Sequence, residues 1–303
     1  MKRLNVFLWS QPAALLVLTT AFWAGNVVIS KMAVGEVSPG VLAFSRWALL
    51  GSLLPVLYWR EVRAGWPVLR SRWRYLVLMG GVGLAMFNLL FYISAHHTTA
   101  VNIGIVQGAI PIIVLVGAFY FFGSRLNWIQ SLGVALGVVG VVIVALRGIP
   151  GGLADITLNR GDILMTTACL FYAGYTLGLK SRPAVSGIVL VTFFCVPAAV
   201  ASTPAVFYEW WSDTIVWPSL KGWLIISYVT LFPSFVAQVF FLRSVDLIGP
   251  ARCGMFVNLT PIFAALLAVV ILGEVFRFYH ASALALVLIG LWLSRERALT
   301  TAG

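Results

Sequence analysis

The sequence predicts an all-α integral membrane protein, with ten transmembrane helices arranged as two inverted five-helix repeats. Three observations predict this class. The 303 residues are 61% hydrophobic and only 10% charged, with a mean hydropathy of +1.00, which excludes an ordinary soluble domain. The apolar runs are about 20 residues long, the length a helix needs to cross the hydrocarbon core. The second half of the chain also repeats the pattern of the first.

The ten predicted spans are joined by connectors rich in glycine, proline and charge. The spans are 12–31, 39–59, 75–95, 98–122, 128–147, 161–180, 185–206, 221–242, 248–273 and 278–295. They must be helices, because a lipid-facing backbone has to satisfy its own hydrogen bonds and the runs lack the alternation of a barrel strand. We therefore divide the chain into a first repeat over 1–147, a loop over 148–160 and a second repeat over 161–303. The other long connector is 60–74, which carries five arginines.

The two halves match without a gap when 100–147 is laid over 250–297, at an offset of 150 residues. Glycine and proline set backbone geometry rather than hydrophobicity, so their coincidence indicates a duplication. The coinciding positions include Gly104/Gly254, Pro111/Pro261, Gly123/Gly273 and Gly140/Gly290. Because each half has an odd number of spans, the second copy enters the membrane in the opposite orientation.

Each copy carries a proline in the middle of its fourth span, Pro111 or Pro261. A proline inside a helix removes one hydrogen bond and frees the carbonyl four residues back, which belongs to Gln107 or Val257. Helices broken at matching places in inverted halves are typical of the central site of a transporter. We predict that both prolines act as hinges beside such a site.

Polar and aromatic side chains in the middle of spans are the candidates for substrate binding. An unsatisfied amide is costly in lipid, so such groups face a cavity or one another. Several of them match between halves, at offsets of 149 or 150 residues. The predicted binding set is Trp23, Asn26, Asn88, Tyr92, Gln107, Tyr172, Tyr175, Gln238 and Asn258. For each of these residues, a bridge or packing contact between helices is the alternative.

Arg46 is the one charge expected well inside a span. It could anchor a substrate carboxylate, or it could be a structural cation bonded to helix carbonyls and loop groups near the outer end. We favour the structural role, because the matching position in the second half is Cys195 and a central site is expected to be symmetric. Lys31 and Glu274, at span ends, are also predicted to be structural charges.

The nine acidic residues all fall in loops or at span ends. Ion-coupled carriers generally need a carboxylate or comparable ligands within the membrane, so we expect facilitated rather than ion-coupled transport. No spacing of histidines, cysteines or acids indicates catalysis or a metal site. The sequence therefore predicts neither an enzyme nor a cofactor, and we expect no nucleic-acid partner.

The basic residues predict the orientation of the chain. With a cytoplasmic N-terminus, inward-facing segments hold 14 of the 20 lysines and arginines, outward-facing segments hold five, and Arg46 lies within a span. The positive-inside rule therefore favours a multi-pass protein with both termini in the cytoplasm.

Together these features resemble the drug/metabolite transporter superfamily, and within it the EamA-type exporters. The resemblance rests on FWAGN in the first span, SPGVLAFSRW in the second, the Pro-Ile pair before the last helix of each half, and Gly273–Glu274 before the tenth. It implies a central cavity enclosed by spans 1 to 4 and 6 to 9, with spans 5 and 10 at the periphery. Ser124 stands where the second copy has Glu274, so a family role for that carboxylate extends to the second half alone.

More narrowly, the chain is similar to bacterial exporters of aromatic amino acids. The resemblance implies an inner-membrane exporter that moves aromatic and other apolar amino acids out of the cytoplasm by alternating access. Its expected partners are the amino acid substrate and the lipid bilayer, and a monomer is compatible with the sequence. The alternatives are a broader metabolite or drug exporter of the same fold, a pore, or a membrane-embedded enzyme.

Overall fold

The structure, a computed structural model, describes residues 9–124, 126–146 and 159–294, and within these ranges all regular structure is helical. The all-α membrane class is confirmed. Eight of the helices are long and apolar enough to cross a membrane. They are α1 (Pro12–Met32), α2 (Pro39–Leu57), α4 (Trp73–Ser94), α5–α6 (Ala100–Phe122), α7 (Trp128–Ala145), α9 (Gly187–Trp211), α10 (Leu220–Ile248) and α11–α12 (counted from Arg252 to Leu272).

Helix is also found at the two remaining predicted spans. α8 (Arg160–Gly178) takes the place of the sixth span, and α13 (Phe278–Ser294) is a shorter apolar helix in the place of the tenth. Two helices are longer than predicted. α9 continues past residue 206 to Trp211, and α10 continues past residue 242 to Ile248. The predicted loop 148–160, apart from its last two residues, and both chain termini lie outside the described residues.

Both proline-bearing spans are interrupted near their middle. α5 (Ala100–Gly108) is separated from α6 (Ile110–Phe122) at Ala109, and α11 (Pro250–Val257) is separated from α12 (Leu259–Leu272) at Asn258. Each interruption falls just before Pro111 or Pro261. Proline lacks the N–H that would continue the helical ladder, so the chain restarts its helix with the proline in the first turn. The predicted breaks are therefore present in both spans.

The ends of these two spans have the same backbone geometry. Gly123 follows α6 with a φ of 65°, and Gly273 follows α12 with a φ of 66°. Both values lie in the left-handed region, where glycine avoids the clash that a Cβ would create and a helix commonly ends. Both spans thus stop at matching glycines.

Two long helices contain wider, π-helical turns, which the sequence pattern did not predict. The turns are Val77–Ala85 within α4 and Phe232–Val236 within α10. Within the α10 turn, Pro233 cannot donate a backbone hydrogen bond, which favours a local change of helical register. Such turns are frequent at functional sites, and residues close to both turns line the cavity described below.

An additional helix, α3 (Trp59–Arg70), follows α2. Gly65 and Leu69 are buried on one side of it, while the other side is exposed and carries arginines and tryptophans. This distribution is typical of a helix that lies along the membrane interface. The sequence analysis placed 60–74 between two spans but did not predict this helix, because the apolar positions at helical spacing are hidden among charges.

Candidate functional site

A cavity of about 140 Å³ lies between the helices of both halves. Its described lining comes from α1, α2, α4, α5, α6 and α8 to α12, together with Asn258 between α11 and α12, and α7 and α13 contribute no residue to it. The two non-contributing helices instead pack against each other, where Gly133 and Gly290 bring their backbones together. The arrangement corresponds to the central cavity and the peripheral fifth and tenth spans that the family resemblance implies.

The cavity brings together most of the residues that the sequence singled out. Both helix interruptions border it through Pro111 and Pro261. Eight of the nine predicted binding residues also line it: Trp23, Asn26, Asn88, Gln107, Tyr172, Tyr175, Gln238 and Asn258. Tyr92 does not line the cavity, because its side chain is only 2% exposed and its hydroxyl is turned toward Arg46.

Aromatic rings form a large part of the cavity wall. The ring centroids of Phe87 and Tyr172 are 4.8 Å apart, and those of Tyr172 and Tyr175 are 5.6 Å apart. Trp23 is fixed from the other half of the chain, since its indole Nε1 donates to the carbonyl of Pro233 at 3.2 Å. These contacts orient the rings before any ligand arrives, which favours an apolar or aromatic guest.

Arg46 lines the same cavity and is only 7% exposed. Its Nη1 donates to Asn88 Oδ1 at 2.8 Å and to the hydroxyl of Tyr92 at 2.7 Å. The sequence-based expectation of bonds to helix carbonyls and loop groups is therefore wrong. Asn88 and Tyr92 are one helical turn apart on α4, so both reach the same guanidinium. In the sequence, the sign of this shared contact was the amide of Asn88 four residues before the phenol of Tyr92.

Several buried polar atoms of the lining residues lack a hydrogen-bond partner among the described residues. Two belong to donors, Arg46 Nε and Trp47 Nε1, and two are acceptors, Asn26 Oδ1 and Gln107 Oε1. The hydroxyl of Thr260 is unpartnered as well. Buried polar groups are nearly always paired in folded proteins, so the wall of this cavity has an unusual concentration of unpaired donors and acceptors.

A second cavity, of about 530 Å³, lies where α1 ends and α5 begins. Lys31 and Glu274, the other two predicted structural charges, line it. The Lys31 ammonium donates to the carbonyls of Ala95 and Thr98, at 2.7 and 2.8 Å. The carboxylate of Glu274 accepts backbone N–H groups at the start of α5. Both charges therefore hold the ends of helices in place.

A polar chain of side chains borders this second cavity. The Thr98 hydroxyl donates to buried Asp162 at 2.6 Å, and His280 Nε2 is 3.1 Å from Asn102 Oδ1. His280 Nδ1 accepts the backbone N–H of Arg277 at 2.9 Å, so the proton of the neutral ring lies on Nε2, which donates to Asn102. The sequence pattern missed this chain, because its members lie far apart along the polypeptide. Among the described residues, no group of three or more His, Cys, Asp or Glu side chains is placed to hold a metal.

The EamA-like transporter family matches the chain twice, over residues 11–146 and 159–295. The uncharacterized transporter YetK of Bacillus subtilis (strain 168) is 24% identical over 278 residues, which cover 90% of this chain and 83% of that protein. YyaM of the same organism, also an uncharacterized transporter, is 22% identical over 96% of this chain and 93% of its own. An uncharacterized transporter of Archaeoglobus fulgidus is 25% identical over 95% and 98%. One solved crystal structure of a protein shares the fold, with a TM-score of 0.63 and 20% identity over 94% of this chain and 97% of that one.

Proposed function

The chain belongs to the EamA-like transporter family, and from this premise we propose that it exports amino acids, chiefly aromatic and other apolar ones, from the cytoplasm. Transport across a membrane is what the family and the named relatives share. The amino acid substrate, the outward direction and the mechanism below are our proposal.

The composition of the cavity wall is the observation that carries this proposal. Aromatic rings supply a surface for an apolar side chain, while Arg46 and Trp47 carry unpartnered donors and Asn26 and Gln107 carry unpartnered acceptors. An aromatic or other apolar amino acid has an apolar side chain, a carboxylate that accepts hydrogen bonds and an ammonium that donates them. A volume of about 140 Å³ is below the roughly 300–1,000 Å³ of sites for drug-sized ligands. The volume thus favours a small metabolite over a drug.

The interrupted helices support transport by alternating access. Each interruption borders the cavity, at Pro111 in the first half and Pro261 in the second. We propose that residues 1–147 and 161–303 are inverted repeats that rock about these points, as in carriers with broken helices at the substrate site. The double match to one family and the similar φ angles at Gly123 and Gly273 support the duplication.

We also propose that transport is facilitated, and that the protein spans a bacterial inner membrane with both termini in the cytoplasm. None of the described residues that line the central cavity is an aspartate or a glutamate, so its wall offers a driving cation no carboxylate ligand. The exposed arginines of α3 support the orientation, because they would face the anionic cytoplasmic leaflet.

The test is a panel of radiolabelled amino acids in proteoliposomes without any ion gradient. We expect saturable flux of phenylalanine and tryptophan that is stimulated by unlabelled substrate on the opposite side. Trp23→Ala, Gln107→Ala and Asn258→Ala should each lower this flux about tenfold, the effect of losing roughly 1.4 kcal/mol of binding. Trp128→Ala, at an exposed position of α7, is the matched control for Trp23→Ala and should transport normally.

Each part of the proposal can fail separately. Flux of phenylalanine and tryptophan that survives all three cavity variants would show that the chosen pocket is wrong. Movement of larger metabolites or drugs, with no amino acid transported, would replace the substrate assignment by the broader exporter. A strict requirement for a pH gradient would overturn the facilitated mechanism, and non-saturable flux without counter-stimulation would indicate a pore.

A further inference from the structure

Arg46 is a buried cation without a described anionic partner. Among the described residues that line the central cavity, it is the one charged side chain. It belongs to none of the ion pairs found in the described parts of the chain, where the single pair is Lys221–Glu36. Its guanidinium packs over the ring of Trp47, with Cζ 5.3 Å from the ring centroid. Among the described residues, the positive charge is therefore contacted by neutral groups only.

This charge cannot be removed by releasing a proton. A buried lysine or carboxyl often becomes neutral instead of bearing the cost of desolvation, but a guanidinium stays protonated in proteins. A buried charge is normally compensated by an ion of opposite sign. In this cavity, the described wall offers hydrogen-bond acceptors from Asn88 and Tyr92 but no negative charge.

The hydrogen bonds of Arg46 leave one particular edge of the guanidinium unused. Both bonds to Asn88 and Tyr92 start from Nη1. Nε is buried without a partner, and none of the described hydrogen bonds of Arg46 uses Nη2. The Nε–H and the adjacent Nη2–H form a planar fork that matches the two oxygens of a carboxylate. Asn88 is itself held in place, since its Nδ2 donates to the carbonyl of Leu84 at 2.8 Å.

We propose that the Nε and Nη2 edge of Arg46 binds the carboxylate of the transported molecule, so that a carboxylate is the group the cavity requires. The inference rests on the proposed transport role of this cavity and deepens it. Asn88 and Tyr92 position the guanidinium, and Arg46 contacts the substrate. The substrate class is therefore small apolar carboxylates, of which aromatic amino acids are one subset.

The ammonium group of an amino acid is secondary in this site. The acceptors available to it among the described residues are neutral. They are the unpartnered amide oxygens of Asn26 and Gln107. Neutral hydrogen bonds contribute less than charge-assisted ones. An aromatic acid without an amino group should thus bind within about tenfold of the amino acid, whereas an aromatic amine without a carboxylate is repelled by Arg46.

A ligand series on the unmodified protein separates these possibilities. The ligands are phenylalanine, 3-phenylpropanoate, phenylalaninamide and 2-phenylethylamine, which share one ring and differ in charge. We expect 3-phenylpropanoate to compete with phenylalanine flux within about tenfold of phenylalanine itself. The two cationic ligands should compete about tenfold to hundredfold more weakly, the range expected for a lost charge-assisted pair. Equal competition by phenylalaninamide would overturn the proposal.

Substitution of Arg46 then tests the residue itself. Arg46→Gln should abolish the preference for phenylalanine over phenylalaninamide. Arg46→Lys should leave a preference between those of the unmodified protein and Arg46→Gln, because lysine retains the charge and loses the fork. Arg63→Gln, on the exposed side of α3, is the matched control and should leave the preference unchanged. If Arg46→Gln keeps the full preference, the carboxylate is bound elsewhere and the proposal is wrong.

Ligand-induced thermal stabilisation of the purified full chain gives a readout that does not depend on transport or on folded variants. Bound ligands raise the unfolding temperature. We expect 3-phenylpropanoate to stabilise the protein and 2-phenylethylamine to leave it unchanged. If no amino acid is transported but the acid stabilises the protein, the proposed amino acid function fails and the carboxylate site stands. If the acid produces no stabilisation, the carboxylate site fails.

Discussion

Glu274 caps the helix that begins at Ala100, although the two residues are 174 positions apart in the chain. Glu274 Oε1 accepts the backbone N–H of Ala100 at 2.8 Å, and Oε2 accepts that of Val101 at 2.9 Å. The first N–H groups of a helix have no partner within it, and its N-terminal end favours negative charge. The contact thus ties the second half of the chain to the first broken helix. The matching residue in the first half is the uncharged Ser124.

Replacement of Glu274 should destabilise the protein. We expect Glu274→Ala to lower the free energy of unfolding by about 1–2 kcal/mol, because α5 loses a charged cap that satisfies two donors. Glu274→Gln should lose less, since the amide oxygen can still accept one bond. Thermal unfolding in detergent measures the difference. Glu61→Ala, at an exposed position of α3, is the control, and equal losses at both sites would contradict a capping role.

Substitution of the two prolines that we propose as hinges should slow transport more than it weakens folding. Pro111→Ala and Pro261→Ala each restore a backbone N–H at a helix interruption, which favours a continuous helix. A stiffer span should reduce turnover by about tenfold, equivalent to roughly 1.4 kcal/mol on the barrier. Counterflow rates at saturating substrate, together with unfolding temperatures, check this. Full turnover in the double variant would show that the interruptions do not act as hinges.

The same substitution at two glycines should have opposite effects on stability. A Cβ on Gly133 would lie 2.6 Å from the carbonyl oxygen of Gly290, whereas a Cβ on Gly174 meets nothing within 4 Å. Gly133→Ala should therefore cost about 1–3 kcal/mol through overpacking between α7 and α13. Gly174→Ala should gain about 0.5–1 kcal/mol within α8. Unfolding temperatures of the two variants provide the test, and a stabilising Gly133→Ala would exclude the close approach.

The acid stability of the protein should depend on Glu36. Hydrogen bonds from the hydroxyl of Ser219 and then from the ammonium of Lys221 lower the pKa of this carboxyl. A carboxyl whose pKa is lower in the folded state stabilises the fold above its unfolded pKa of about 4.3, and the contribution is lost as pH falls through the folded pKa. We therefore expect Glu36→Gln to flatten the loss of thermal stability below about pH 4.3. Identical pH profiles for Glu36→Gln and the unmodified chain would refute this.

The sequence predicted those parts of the architecture that depend on residues close together in the chain. Span length, hydrophobicity and the paired prolines predicted the helices and both interruptions, because each depends on residues next to one another. The helix α3 and the π-helical turns were missed. In α3 the apolar face is only a few residues wide, and a π-helical turn depends on packing against a neighbouring helix as much as on composition.

The candidate site was predictable in its location but not in its bonding. We expected polar groups in the middle of spans to face a cavity. Eight of the nine predicted binding residues do line the central cavity. The structural role that the unmatched Cys195 suggested for Arg46 stays a prediction, but the expected bonds to helix carbonyls and loop groups were wrong. Its partners Asn88 and Tyr92 come from a different helix, and the relative rotation of two helices is set by packing that sequence periodicity does not encode.

The positive charge of Arg46 in the cavity wall has a consequence for the ion gradients across the membrane. In the alternating-access cycle that we propose, the empty cavity is open to water first from one side of the membrane and then from the other. A permanent positive charge on the wall raises the electrostatic barrier for protons, sodium and potassium in that cavity, as a lone arginine does in water-conducting pores. In the proposed cycle, the empty cavity would therefore return to its loading state without leaking cations down the gradients across the membrane.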